Sequence, residues 1–331
     1  MEYTTLGSTG MQVSKIGLGG MSFGTENDMH DWILDEEDSR EIIERAIDLG
    51  INFFDTANAY SMGQSEAILG NVLADYDRDK QVVATKVFFP TNFFDEDADP
   101  HPNADGLSRK TIEQELEHSL DRLGMDTVDL YQIHRWDYET PIEETLRALD
   151  DAVRRGKARY VGASSMWAHQ FAEALHTSDR LGLERFQTMQ NHYNLVYREE
   201  EREMLRLCEK KNIGVIPWSP LAQGYLTRPH EEMTATTRGE ELIERHQEYR
   251  EGGGPDVNER VEELAEEKGV TMAQIALSWL LHQDPVDAPI VGTTSVEHLE
   301  QAVEALEIDL SESDQEYLEE PYRPLEVAGH E

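Results

Sequence analysis

Several residue types and patterns are scarce or missing in this chain of 331 residues. The single cysteine excludes an internal disulfide framework and a cysteine-rich metal site, and it fits a reducing cytoplasm. No apolar run approaches the roughly 20 residues that a membrane-spanning helix needs. The N-terminal stretch MEYTTLGSTGMQVSKIGLGG lacks the basic-then-apolar pattern of a signal peptide. These absences predict a soluble, cytoplasmic protein.

Positive charge is also scarce. Lysine and arginine number 29 against 68 acidic residues, which gives a formal net charge of −39, and only eight of the 29 are lysines. Such a surface repels nucleic acids and anionic membranes, so neither is expected as a partner. In EEDSREIIERAIDLG the acidic residues alternate with apolar ones, which is typical of a solvated helix face rather than a disordered acidic tail. Our hypothesis is an acidic surface adapted to a salt-rich cytoplasm, as in a halophile.

Two common site signatures are missing as well. No strand–GxGxxG–helix fingerprint of a Rossmann unit is present. No set of His, Asp and Glu residues has the spacing of metal ligands, so no metal is expected.

What the chain does contain is a repeated alternation of short apolar strands and amphipathic helices. Near-continuous apolar runs such as QVVATKV and IGVIPW are typical of parallel strands covered on both faces. Eight such pairs predict a (β/α)8 TIM barrel, in a single domain spanning 1–331, rather than an open doubly wound sheet. The predicted strands are 16–20, 52–55, 81–86, 128–132, 159–163, 187–191, 213–217 and 288–292. The predicted helices are 37–49, 65–75, 109–123, 142–155, 168–180, 199–211, 257–282 and 296–305.

Additional segments flank or interrupt these pairs. EYTTLG and MQVSKIG, on either side of Ser8, Thr9 and Gly10, predict an N-terminal β-hairpin that closes the bottom of the barrel. Two long loops at the C-terminal face, 88–106 and about 221–255, are expected to act as lids or mobile insertions.

Polar side chains stand at the carboxyl ends of three strands, where such barrels carry their active sites. Asp55 ends the second strand and Tyr60 follows it, whereas Lys86 and His134 end the third and fourth. Singly, three of them have ordinary structural explanations: a turn cap, a wall residue and a structural histidine. Lys86 is harder to explain, because an ammonium at the end of an apolar strand needs a partner, and Asp55 is the nearest candidate.

Together these four side chains make chemical sense. A phenol is a poor acid at neutral pH, but an adjacent ammonium lowers its pKa by stabilising the phenolate. A carboxylate can hold the ammonium, and an imidazole can donate a hydrogen bond to a carbonyl oxygen. The set therefore predicts a site that protonates an oxygen on which negative charge develops.

The same residues belong to a series of motifs that runs nearly from end to end of the chain. These motifs are DTANAYSMGQSE, TKV, LYQIHRWD, GASSMW, MQNHYNL and WSPLAQGYLTR. In them the chain resembles the aldo-keto reductase superfamily, and most closely its aryl-alcohol-dehydrogenase-like branch. The resemblance implies that Tyr60 is the general acid, that Lys86 and Asp55 tune it, and that His134 orients the carbonyl.

The resemblance also implies a nicotinamide dinucleotide extended across the barrel mouth. The adenosine end departs from the family, because Thr294 and Ser295 stand where Arg or Lys often grips the 2′-phosphate, and His298, Gln301 and Ala302 replace common family residues. NADP(H) is favoured over NAD(H) on family habit alone. The cofactor positions that match are Gly20, Met21, Ser164, Ser165, Gln190, Trp218, Ser219, Leu221, Gly224, Arg228, Gly292, Thr294 and His298.

The leading hypothesis is thus an NAD(P)H-dependent reductase of aldehydes or ketones, with Phe88, Phe89, Trp136 and Trp167 as the walls of an apolar or aromatic substrate site. Two alternatives stay open. Lys86 could be the carbonyl nucleophile of a Schiff-base aldolase. The chain could also be a nucleotide-binding sensor or regulatory subunit with slow turnover. The physiological substrate and the oligomeric state do not follow from the sequence.

Overall fold

The computed structural model describes residues 1–25, 32–93, 101–233 and 243–330. Strands and helices alternate through these ranges as the sequence predicts. The strands are β1 (Tyr3–Thr5), β2 (Gln12–Ser14), β3 (Gly17–Gly19), β4 (Phe53–Asp55), β5 (Val82–Val87), β6 (Val128–Ile133), β7 (Ala158–Ser164), β8 (Phe186–Gln190), β9 (Gly214–Val215) and β10 (Ile290–Val291). The helices are α1 (Glu36–Asp48), α2 (Gln64–Leu73), α3 (Arg109–Leu123), α4 (Ile142–Arg154), α5 (Ala168–Leu181), α6 (Met204–Lys211), α7 (Ile243–Glu251), α8 (Gly254–Lys268), α9 (Met272–Leu281), α10 (Val296–Glu304) and α11 (Glu312–Glu319).

The central sheet has eight parallel strands in the order β10-β3-β4-β5-β6-β7-β8-β9. Backbone hydrogen bonds from Asp287 to Val215 (2.9 Å) and from Ile290 to Pro217 (2.8 Å) join its two ends. Each predicted strand overlaps an observed one. The curled α/β sheet is therefore consistent with the predicted (β/α)8 barrel.

The N-terminal residues form a separate two-stranded sheet in which β1 and β2 pair antiparallel. Leu6 and Val13 are buried in one apolar cluster with Phe53 and Val82, the first residues of β4 and β5. The hairpin therefore packs at the amino ends of the strands, opposite the end at which the candidate site lies.

Two predicted helices are interrupted. The segment 257–282 contains α8 and α9, because Gly269 adopts a left-handed conformation (φ +69°) that ends α8, and Thr271 caps α9 through its side chain. The segment 199–211 is a 3₁₀ turn, Glu199–Glu201, followed by α6. In the segment 257–282, apolar residues recur on both sides of Gly269, which concealed that break.

The long loops hold a further correction. Helix α7 lies within the second loop, where the sequence predicts no regular structure. The helix was not predicted because its residues carry no clear apolar stripe. Parts of both loops, 94–100 and 234–242, lie outside the described residues. Among the described helices, none is long and apolar enough to cross a membrane.

Candidate active site

Adjacent parallel strands bring three of the four candidate catalytic residues to one edge of the sheet. Asp55 is the last residue of β4, Lys86 is the last but one of β5, and His134 follows β6 directly. The register sets Asp55 opposite Ala84 and Lys86 opposite Gln132. Side chains two residues apart on a strand point to the same face, so Lys86 and Asp55 meet in the barrel interior.

Lys86 and Asp55 form a buried ion pair. Their side chains are 0% and 2% exposed, and Lys86 Nζ donates to Asp55 Oδ2 at 2.5 Å and to the Thr56 carbonyl at 2.9 Å. Burial by itself lowers the pKa of the Lys86 ammonium, but the negative charge of Asp55, together with Tyr60, outweighs burial and holds that pKa above its ordinary value. Lys86 is therefore a charged ammonium at neutral pH.

Tyr60 opens a tight turn shortly after the end of β4. The 3₁₀ turn Tyr60–Gly63 places Ser61 and Met62 in left-handed conformations, with φ of 47° and 55°, a strained arrangement that functional sites often contain. The Tyr60 hydroxyl accepts a hydrogen bond from Lys86 Nζ at 3.3 Å, and the ammonium lies 4.9 Å from the ring centroid. Tyr60 is half-buried, unlike Lys86.

His134 completes the group, with its ring edge-on to that of Tyr60 at a centroid distance of 5.7 Å. Burial lowers the pKa of the His134 imidazole well below its ordinary value, and the Lys86 and Arg135 cations lower it further. Its Nδ1 is buried without a hydrogen-bond partner among the described residues. The ring is therefore neutral near pH 7 and keeps one N–H that can donate to an oxygen.

Two glutamines that support Asp55 were not recognised as such in the sequence. Gln132 Nε2 and Gln190 Nε2 each donate to Asp55 Oδ1 at 2.9 Å, so both oxygens of the carboxylate are held. Gln132 carried a signal that could have been used: it is a polar residue near the end of its strand, directly opposite Lys86 in the parallel register. Gln190 was assigned only to the cofactor.

The residues predicted to bind the nicotinamide lie together at the ends of β7, β8 and β9. Ser164 donates through Oγ to the Gln190 carbonyl at 2.8 Å, and Ser165, with φ of 43°, accepts from Trp218 Nε1 at 3.1 Å. Trp218 is half-buried. The Gln190 amide, by contrast, already donates to Asp55.

Asn191 is a further residue of this region that sequence reasoning missed. Its side chain is fully buried, and neither the amide nitrogen nor the amide oxygen has a hydrogen-bond partner within the described residues. Its carbonyl accepts from the Trp218 backbone N–H at 2.9 Å. Unsatisfied buried amides are costly, and they are usually explained by a ligand, a water or a catalytic role.

The remaining predicted cofactor residues lie on turns after the strands. The Ser22 hydroxyl donates to the Thr293 carbonyl at 3.0 Å, which joins the turn after β3, containing Gly20 and Met21, to the turn after β10. The last turn contains Gly292 and Thr294 and leads to His298 on α10, all three exposed. The turn after β9 contains Ser219, Leu221, Gly224 and Arg228, each of them half-buried.

The predicted substrate residues lie on loops at the same end of the barrel. The Phe89 ring packs against three other rings. Its centroid lies 5.1 Å from that of His134, 5.0 Å from that of Phe88 and 4.4 Å from that of Phe93. Trp136 is half-buried and Trp167 is exposed. Within the part of the chain that the structure describes, no hydrogen bond or ring contact joins either tryptophan to the candidate catalytic residues.

The C-terminal segment reaches this end as well, which the sequence did not indicate. His330 packs edge-on against Trp167, with centroids 4.9 Å apart, and its Nε2 lies 3.1 Å from Glu200 Oε1. Ala328 donates to the Tyr197 hydroxyl at 2.9 Å. A Cβ atom on Gly329 would lie 4.0 Å from the Trp218 ring. The segment therefore forms part of the wall beside Trp218.

Comparison with known families agrees with this geometry. Residues 15–323 match the model of the Aldo/keto reductase family. The chain belongs to this family. The prediction of an oxidoreductase acting on carbonyl or alcohol groups is thereby confirmed, as is the resemblance to aryl-alcohol-dehydrogenase-like members.

Individual aldo/keto reductases are similar over nearly the whole chain. A Schizosaccharomyces pombe protein provisionally named an aryl-alcohol dehydrogenase is 44% identical, over 99% of this chain and 97% of its own length. The aldo-keto reductase AMT2 of Alternaria alternata is 40% identical, over 99% and 93%. The versiconal hemiacetal acetate reductase of Aspergillus parasiticus is 41% identical, over 99% and 98%.

Proposed function

We propose that this aldo/keto reductase reduces aldehydes or ketones with NAD(P)H and runs reversibly as an alcohol dehydrogenase, with Tyr60 as the general acid. One observation carries the proposal: Lys86 Nζ lies between the Asp55 carboxylate, at 2.5 Å, and the Tyr60 hydroxyl, at 3.3 Å. A fixed positive charge beside a half-buried phenol is the arrangement that stabilises a phenolate as it forms.

In the proposed reduction, one proton passes from Tyr60 to the substrate. The Tyr60 hydroxyl gives its proton to the carbonyl oxygen of the substrate, and the Lys86 ammonium stabilises the phenolate that remains. Neutral His134 donates its N–H to the same oxygen and orients the carbonyl. When bound, reduced nicotinamide supplies the hydride that adds to the carbonyl carbon. Solvent then returns a proton to Tyr60, which is half-buried rather than sealed.

The described residues fit a nicotinamide ring. Its carboxamide has one donor group and one acceptor, as does the Asn191 amide, whose two polar atoms lack partners within the described residues. The half-buried Trp218 indole offers an aromatic surface on which the ring can stack. Ser164, Ser165 and Gln190 complete the predicted nicotinamide site.

We favour NADP(H) over NAD(H). The residues at the adenosine end nevertheless carry less positive charge than is usual around a 2′-phosphate. A 2′-phosphate at Thr294 would meet a hydroxyl and the N-terminus of α10, where helices attract anions. Exposed Glu297 lies in the first turn of the same helix and opposes a phosphate. Arg228 would supply a positive charge within the predicted cofactor set, and His298 would supply a ring N–H.

The aromatic side chains support an apolar or aromatic carbonyl substrate. Phe88, Phe89 and Phe93 form a chain of ring contacts that begins at His134. Trp136 and Trp167 are proposed as further walls. The names of two relatives, an aryl-alcohol dehydrogenase and a hemiacetal acetate reductase, agree with substrates of this kind.

The aldolase alternative is disfavoured by the charge on Lys86. A Schiff base requires a neutral amine, and Asp55 holds the pKa of Lys86 above its ordinary value. Borohydride treatment with a carbonyl substrate should therefore trap nothing on Lys86. A sensor would share the dinucleotide site but retain the nucleotide tightly and turn it over very slowly.

We also propose that the enzyme works in a salt-rich cytoplasm. The formal charge of −39 is large for 331 residues, and high salt screens the resulting self-repulsion.

The proposal is tested by titrating the purified protein, in molar salt, with NADPH and separately with NADH, while following tryptophan fluorescence. We expect quenching by both, with tighter binding of NADPH. Tighter binding of NADH would overturn the cofactor preference alone. Binding of neither would overturn the proposed reductase.

A further inference from the structure

Three aromatic rings form a continuous stack behind the proposed nicotinamide site. The His192 imidazole lies between Tyr197 and Trp218, with centroid distances of 4.1 Å and 4.2 Å and interplanar angles of 10° and 14°. His192 and Tyr197 are each 2% exposed. Because His192 covers one face of the Trp218 indole, a nicotinamide that stacks on Trp218 has to take the opposite face.

The orientation of the His192 ring is itself fixed by hydrogen bonds. Its Nε2 lies 3.0 Å from the Tyr249 hydroxyl and 3.2 Å from Asn194 Nδ2. Asn194 Nδ2 also donates to the Ser219 carbonyl, the residue after Trp218, at 2.9 Å. Both the ring and the backbone beside the indole are thus tied to the same amide.

The stack also connects the indole to two more distant elements. Tyr249 is a buried residue of α7, in the long segment that follows β9. Tyr197, at the other end of the stack, accepts a hydrogen bond from Ala328 of the C-terminal segment at 2.9 Å. A displacement of either element would be transmitted to the plane of Trp218 through close-packed rings.

We propose that His192 is a positioning residue, which sets the plane of Trp218 for the nicotinamide and couples it to α7 and to the C-terminal segment. The inference rests on the proposed function, since it assumes that the nicotinamide stacks on Trp218. It assigns His192 no part in proton transfer.

Three substitutions separate stacking from hydrogen bonding. His192→Phe keeps a ring in the stack and loses the Nε2 contacts, whereas His192→Leu loses the ring. Tyr249→Phe removes only the hydroxyl and leaves the stack in place. The control is Tyr193→Phe, at a buried tyrosine next in sequence whose ring packs 5.6 Å from Trp279 instead.

The readouts are the dissociation constant for NADPH, the separate values of kcat and KM, and the fluorescence of Trp218, assigned by difference from Trp218→Phe. His192→Leu should weaken NADPH binding about tenfold, because one aromatic pair supports the indole. Tyr249→Phe should weaken it about threefold, as expected for one hydrogen bond. The dissociation constant of His192→Phe for NADPH should be closer to that of the unmodified enzyme than the constant of His192→Leu is. Tyr193→Phe should bind NADPH with unchanged affinity.

Different results would contradict the role of His192 and the proposed function. If the unmodified enzyme binds NADPH but His192→Leu and Tyr249→Phe bind it equally well, the inference is wrong even if both variants melt earlier. If His192→Leu does not fold, Tyr249→Phe and its fluorescence decide the question. If the unmodified enzyme binds neither dinucleotide, the proposed function fails and this inference falls with it.

Discussion

The Lys86 ammonium lies 2.5 Å from the Asp55 carboxylate, and both side chains are shielded from solvent. Asp55 Oδ1 also accepts hydrogen bonds from Gln132 and Gln190. A buried pair of this kind contributes little net stability compared with apolar residues, since both charges lose their hydration. Its value here is a fixed positive charge beside the Tyr60 hydroxyl.

Removing the carboxylate charge should destabilise the fold and disable the chemistry together. Asp55→Asn keeps the shape but leaves a buried ammonium without its counter-charge, so we expect the free energy of unfolding to fall by about 3–5 kcal/mol. Urea unfolding measures the loss. A suitable control is Glu300→Gln, which breaks the pair with Arg45, where both side chains are 39% exposed; it should cost at most about 1 kcal/mol. Similar losses for the two variants would refute this reading of the pair.

His134 should make the protein sensitive to mild acid. Its folded-state pKa is well below that of an unfolded histidine, about 6.5, so the unfolded chain binds more protons below that pH. Stability therefore falls as pH decreases from about 6.5, by up to about 1.4 kcal/mol per pH unit from this group. His134→Gln should show a shallower fall between pH 6.5 and 5 in denaturant titrations. Parallel curves for both proteins would show that His134 is not buried in its neutral form.

Asp287 is a carboxylate that works against stability at neutral pH. Burial raises its pKa to about 6, although the Val215 and Gly7 backbone N–H groups oppose the shift. The cost of ionising it in the folded state is fully present above pH 6 and fades as pH falls toward 4. Asp287→Asn should therefore stabilise the protein by roughly 1–3 kcal/mol at pH 7.5 and by much less at pH 4. Asp309→Asn, at a position 99% exposed, is the control and should change little at either pH. An equal gain at both pH values would point to the amide hydrogen bond rather than to charge.

The net charge predicts a dependence on salt. The screening length shortens from about 10 Å at 0.1 M to about 3 Å at 1 M salt, which weakens repulsion among the excess acidic side chains. We expect the melting temperature to drop when sodium chloride is reduced from molar to dilute concentration. An unchanged melting temperature in dilute buffer would contradict the proposal of a salt-rich cytoplasm.

The strand order and the meeting of the candidate catalytic residues could be predicted from the sequence because each rests on local pattern. Apolar runs ending in polar residues indicated the strands, and parallel strands must bring their carboxyl ends together, so Asp55 and Lys86 could be paired in advance. The family resemblance then supplied their roles. The helix end at Gly269 was not predicted, because apolar residues recur on both sides of it.

Long-range contacts were not accessible in this way. The hydrogen bond from Gln190 to Asp55 joins residues 135 positions apart, and His192 meets Tyr249 on a helix with no apolar stripe. Nothing in the residues near His330 indicates that it packs on Trp167. Such contacts depend on the path of the loops, which local propensity does not determine.

The central claim is that Tyr60 donates the proton, and a single-turnover experiment tests it most directly. Enzyme loaded with NADPH is mixed with an aromatic aldehyde, and the loss of reduced nicotinamide is followed for the unmodified protein and for Tyr60→Phe. We expect the variant to bind NADPH with unchanged affinity and to react about 10²–10⁴-fold more slowly. An unchanged rate would mean that the proton comes from another group, and the account of this site would be wrong.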